Sequence, residues 1–191
     1  MADSPPSPLA LEEYRALRAT IRERGTLRLV VIGLTFVLWT GAVATLGLDA
    51  LLGLAPLAIL ATGFELSFVI HTGVERIGRY LQVYHEATAP GAVPRWEHAI
   101  VDTAAAGRPA GAPDGLFLRL FQIATVLSLA PVAVALARRP GIDAPVLVGT
   151  AGVVLLHMAF LARLELARRY ADGQRGLDFE AFRAARSRRD G

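Results

Sequence analysis

Four runs of residues with almost no charge divide the chain: Leu27 to Leu48, Leu51 to Ile70, Leu116 to Ala137 and Ala144 to Ala162. Each comes close to the roughly 20 residues an α-helix needs to cross a hydrocarbon core of about 30 Å. The pattern predicts an all-α membrane protein with four transmembrane helices. A few residues around Asp49 separate the first two runs, and RRPGID (138–143) separates the last two. Connections that short allow only tight reversals, so the spans are expected as two tandem antiparallel hairpins. Gly47 and Gly141 suit the ends of the outgoing helices, and Asp49 and Asp143 suit N-caps of the returning ones.

The polar segments carry their own periodicity. In SPLALEEYRALRATIRERG (7–25), Ser7 is a natural N-cap and Pro8 a natural first helical residue. Leu11, Tyr14, Leu17 and Ile21 form one stripe and Gly25 a stop, giving an amphipathic helix within residues 1–26. The second apolar run has no stop signal. HTGVERIGRYLQVYHE (71–86) continues it, and a 100° wheel puts Glu65, His71, Thr72, Glu75, Arg76, Arg79, Gln82 and Glu86 on one side. Leu66, Val69, Ile70, Val74, Ile77, Leu81 and Tyr84 fall on the other. A helix from Leu51 to Glu86 would be about 54 Å long and project roughly 20 Å past the hydrocarbon. Its apolar face needs a cover: the N-terminal helix, an extension of the fourth helix to Tyr170, or another protein. The first hairpin and its stalk then occupy 27–86. A Pro-, Gly- and Ala-rich linker with an interfacial helix bearing Trp96 and Ile100 fills 87–115. The second hairpin fills 116–172, and 173–191 reads as a frayed basic tail near anionic lipid.

Charge supplies orientation. All 20 basic residues are Arg, and 18 of them lie before or at the start of the first run, between the hairpins, or near and after the end of the last run. Arg138 and Arg139 alone lie in the opposite connections. The positive-inside rule then places both termini and the central linker in the cytoplasm, with the second and fourth helices extended into it. AVA at 42–44 resembles a signal-peptide cleavage site, but cutting there would leave the second span without its hairpin partner. Arg without Lys, together with abundant Ala, Gly and Pro, fits a GC-rich prokaryotic genome and a plasma (inner) membrane. The net charge of +3 is then a topology signal, and no nucleic-acid partner is expected. With no Cys, disulfides, thiolate metal sites, iron-sulfur clusters and Cys nucleophiles are excluded.

The hairpins also resemble each other. RLVVI (28–32) matches RLFQI (119–123), GLDA (47–50) matches GIDA (141–144), and ERIGRY (75–80) matches ELARRY (165–170), at offsets of 91, 94 and 90. Order and spacing suggest a duplication. Glu75 with Arg79, and Glu165 with Arg169, are i,i+4 pairs in the favourable order, while Tyr80 and Tyr170 suit headgroup anchors.

Candidate chemistry is confined to four titratable groups. Glu65 lies inside the second run and His157 inside the fourth, at depths equal to within about 3 Å by the helical rise, so the two are expected to be able to meet. An intramembrane acid marks a functional site by default. With His71 and Glu75 nearer the cytoplasm, the set admits a proton relay, a metal site or haem ligation. A hydrogen bond between helices that merely fixes their rotation is the plainer expectation. No Gly-rich phosphate loop, nucleophile elbow or His-Glu-x-x-His motif occurs. The leading expectation is therefore a non-enzymatic membrane subunit or adaptor without a cofactor. It would meet the lipid bilayer and other membrane or cytoplasmic subunits, or further copies of itself, docking through Arg76, Arg79, Tyr80, Glu165, Arg169 and Tyr170. The alternative is a small transporter, or a proton-coupled or metal/haem-binding protein, using Glu65, His71, Glu75 and His157.

Overall fold

The computed structural model describes residues 7–45, 54–87, 93, 95–99, 112–139, 141 and 143–190. It is all-helical, with no strand among these residues. The elements are α1 (Pro8–Thr45), α2 (Leu54–Leu81) continued by a π-helical turn (Gln82–Glu86), α3 (Ala112–Leu127), α4 (Ala130–Ala137) and α5 (Ala144–Asp190). Four helical stretches are long and apolar enough to cross a membrane, which supports a multi-pass membrane protein.

The starts of the helices follow the sequence. Ser7 Oγ accepts the Ala10 N–H at 3.2 Å and caps α1, and Asp143 Oδ1 accepts the Val146 N–H at 3.1 Å and caps α5. The cap expected at Asp49 lies outside the described residues. Several expected stops are not taken. α1 runs through Gly25 as one 38-residue helix, so the stop expected at Gly25 is not taken. An interior Gly costs only about 1 kcal/mol relative to Ala, which the good helix formers on both sides outweigh. For the same reason α5 passes Gly173 and Gly176 and continues to Asp190, and the expected frayed tail is helix.

One break was not expected. The third span divides at Ser128 and Leu129, between α3 and α4. Pro131 has no N–H to give the carbonyl of Leu127 and its ring crowds that carbonyl, so the α-helical ladder cannot continue. The chain turns instead with a Leu129 N–H bond to Val126 O at 3.1 Å, and restarts with Ala133 N–H on Leu129 O at 3.0 Å.

The chain divides into two compact units. One, formed by Leu29–Phe68 and Pro113–Arg168, holds an apolar core of Leu57, Leu60, Phe64, Phe117, Phe121, Ala124, Phe160, Leu164 and Ala167. Phe64 is its centre, stacked on Phe68 and Phe117 at 5.8 Å and meeting Phe121 and Phe160 edge-on at 5.5 and 6.0 Å. Gly63 brings α1 against α2, because a Cβ there would collide with the side chain of Thr35. Trp39 Nε1 donates to Ser128 Oγ at 2.8 Å, tying α1 to the break after α3.

The other unit, formed by Met1–Arg28, Val69–Ala112 and Arg169–Gly191, has a small apolar centre of Tyr14, Leu81 and Val93, flanked by Leu11, Leu17, Ile21 and Ile77. The stripe on α1 thus covers the apolar face of the α2 extension. Contacts between the two helices run in opposite order: Tyr14 meets His85, while Arg28 meets His71.

Candidate functional site

The polar unit is bound by charge. Arg28 donates to His71 Nδ1 at 2.6 Å. Because guanidinium can only donate, Nδ1 is the accepting nitrogen and the ring proton sits on Nε2, which lies 3.8 Å from Glu75 Oε1. The same carboxylate oxygen accepts from Arg175 Nε and Nη2, both at 2.7 Å. One chain of groups therefore links α1, α2 and α5, with Arg175 further braced by Asp172 at 3.3 Å. Glu75 pairs with Arg175 and not with Arg79, as its spacing had suggested.

A second cluster surrounds the π turn. Gln82 and Glu86, on the polar side of the wheel, are buried. Glu86 Oε1 accepts the Glu97 N–H at 3.0 Å, and its Oε2 accepts the His98 N–H at 3.1 Å and His98 Nδ1 at 2.8 Å. Residues 96–99 are helical, so this carboxylate caps a helix start from another element. Glu97 pairs with Arg18 at 3.0 Å and lies against Gly78. Burial raises the Glu97 carboxyl above its ordinary value, opposed by Arg18 and reinforced by Glu86. The expected interfacial segment is thus pinned to α1 and α2, with Trp96 exposed; Ile100 lies outside the described residues. Arg186 donates to Val83 O at 2.6 Å, placing a cation on a carbonyl near the end of the helical run.

The expected docking residues divide between two uses. Tyr80 donates to Glu13 at 2.8 Å and stacks on Tyr84, with Phe182 edge-on at 5.8 Å. Arg79 Nη1 donates to Gln82 at 3.2 Å, while its Nε is buried without a partner. Both serve the fold. Arg76 remains largely exposed, 3.6 Å from Asp178. Tyr170 is exposed, as is Arg169, and Glu165 lies 3.7 Å from Arg168.

In the apolar unit, no hydrogen bond joins Glu65 to His157. Glu65 accepts from Arg163 Nη2 at 2.8 Å, and the Arg163 guanidinium lies over Phe68 at 5.4 Å and Phe64 at 6.0 Å. His157 Nδ1 donates to Val153 O at 2.8 Å, one turn back on its own helix. Its Nε2 is buried and unpartnered, as are the hydroxyls of Ser67 and Thr150. The depth count missed by the register of the helices. Phe64 faces Phe160 and Glu65 bonds to Arg163, offsets of 96 and 98, whereas Glu65 and His157 are 92 apart. Among the described residues, no group of three His, Asp or Glu side chains is placed to hold a metal ion, so His71 and Glu75 find no third ligand there.

Glu86, Glu97, His98, Arg163 and Arg175 carry most of this geometry and were not singled out by sequence. Only Arg163, directly after the fourth apolar run, offered a signal, as a cation available to the carboxylate of Glu65 in the second. No known family model, curated protein or solved structure matches the chain.

Proposed function

We propose that this protein is a non-enzymatic membrane subunit or adaptor. Its four apolar helices anchor it as two hairpins in a prokaryotic plasma membrane, and its cytoplasmic helix extensions dock a protein partner. The Arg count supports cytoplasmic termini, and the opposite order of α1 and α2 contacts supports the first hairpin. One observation carries the docking reading. The ion pairs of the polar unit tie its own helices together, yet α5 leaves Tyr170 and Leu177 exposed, seven residues apart on one face, at 57% and 62%. Gly173 lies between them and Ala184 continues the same row, both exposed. A rigid helix bearing an uncovered apolar row fits helix-in-groove recognition. The docking surface is then centred on Arg169, Tyr170 and Leu177, with Arg76 at its side.

Photo-crosslinking from positions 170 and 177 in native membranes tests this. A discrete adduct with one other protein, abolished by Tyr170→Ser with Leu177→Ser, is expected. Absence of an adduct from both positions overturns the reading.

A second reading rests on the buried, unpartnered His157 Nε2 with the Ser67 and Thr150 hydroxyls, polar atoms suited to a proton or small polar solute in an apolar unit. It needs His157 and not Glu65, whose charge Arg163 answers. His157→Gln abolishing a proton-dependent flux, with Glu65→Gln sparing it, would favour this reading over docking.

A further inference from the structure

Tyr170, Gly173, Leu177, Glu180, Ala184 and Ser187 recur at heptad spacing on α5, and all six are exposed. The row is about 26 Å long at the helical rise. It is turned away from the rest of the polar unit: Ala171 and Asp178 on the opposite side are buried, and Phe182 meets Tyr80 and Tyr84 edge-on. The row has the make-up of a helix seam. Leu177 supplies an aliphatic knob, and a Cβ added at Gly173 or at neighbouring Gly176 would meet nothing within 4 Å, so a second helix can come close there.

The charges beside this seam select what covers it. Arg169 and Arg183 stand along one edge and Arg188 along the other, and between residues 169 and 188 neither flanking row carries a carboxylate. Other acids of α5 are engaged within the unit: Asp178 with Arg76 at 3.6 Å and Gln174 at 3.1 Å, and Asp172 with Arg175 at 3.3 Å. Arg183, Arg188 and Glu180 make no ion pair among the described residues. Two copies of this chain inserted alike in one membrane would bring their α5 helices together in parallel. That arrangement sets Arg183 of one copy against Arg188 of the other, and Glu180 against Glu180, so like charges meet at both and self-pairing is opposed. We propose that this seam docks an amphipathic α-helix of another protein, one that carries Asp or Glu against Arg183 and Arg188 and a cation opposite Glu180. The inference rests on the docking reading and adds the chemistry of the partner.

The test uses the full chain in mild detergent at about 0.15 M salt, where distant charges are screened. Three labelled helical peptides share a Leu and Ala seam with one Arg opposite Glu180, and differ in flanks that are all Glu, all Gln or all Lys; binding is read by fluorescence anisotropy. The Glu peptide should bind about tenfold more tightly than the Lys peptide, the scale of a few exposed charge pairs turned from attraction to repulsion, with the Gln peptide between them. Arg183→Glu with Arg188→Glu should reverse that order, and Leu177→Ser should abolish binding of all three. Arg15→Glu with Arg22→Glu changes exposed charges on α1 and should leave the order intact. An order unchanged by the reversal at 183 and 188, or no binding of the Glu peptide, would overturn the assignment. So would a second copy on the seam: the chain has no Cys, Leu177→Cys supplies its single thiol, and a quantitative disulfide-linked dimer in native membranes would set residue 177 against itself. The docking reading fails separately, when positions 170 and 177 give no adduct in native membranes.

Discussion

The two units solve the same packing problem with opposite materials. In the apolar unit, ring stacking around Phe64 and close approach at Gly63 hold α1, α2, α3 and α5, and Glu65 with Arg163 is an ion pair between helices. In the polar unit the buried apolar centre is only Tyr14, Leu81 and Val93, and the helices are joined by Arg28 to His71, Glu75 to Arg175, Glu97 to Arg18 and Glu86 to the 96–99 turn. The difference follows from solvent. Against lipid, apolar side chains gain little from leaving their surroundings, so shape and van der Waals contact decide association. Against water, a thin apolar stripe contributes little per helix, and directed polar bonds set the register.

If that contrast is right, the largest effect should come from the centre of the apolar unit. Phe64→Ala removes four ring contacts at a site 1% exposed and should cost about 3–5 kcal/mol, read as a fall in the unfolding midpoint in detergent. In the polar unit, Glu86→Ala strips the acceptor from two backbone N–H groups and an imidazole, and should cost about 1–3 kcal/mol. Its signature is local: faster amide exchange at Glu97 and His98, with the apolar unit unchanged. Glu75→Gln should cost less, about 1 kcal/mol, because Arg175 is partly exposed and retains Asp172. An equal loss from Glu75→Gln and Phe64→Ala would break the comparison.

The smallest effect is a pH slope. Burial raises the Glu97 carboxyl above its ordinary 4.5, so the folded state favours the protonated form. The resulting stabilisation is complete below that ordinary value and is lost as pH rises through the folded-state value. Wild-type stability should therefore fall over that window on going from acid towards neutral pH, and Glu97→Gln should flatten the curve there. A slope unchanged in Glu97→Gln would assign it to other groups.

The amino-acid sequence by itself determined the four apolar helices, the caps at Ser7 and Asp143, and the continuation of α2 past its apolar run, because each depends on local composition and spacing. It also marked Glu65, His71, Glu75 and His157 as unusual, since charge within or beside a membrane run is visible without a fold. Tertiary structure alone decided their partners. A shift of one turn between neighbouring helices exchanges one partner for another, and that register comes from how Phe64, Phe160 and Thr35 pack, which no single helix encodes. The burial of Glu86 was equally out of reach. A carboxylate at the end of an amphipathic helix reads as solvated until a distant segment brings backbone N–H groups to it, and only the folded chain creates that meeting.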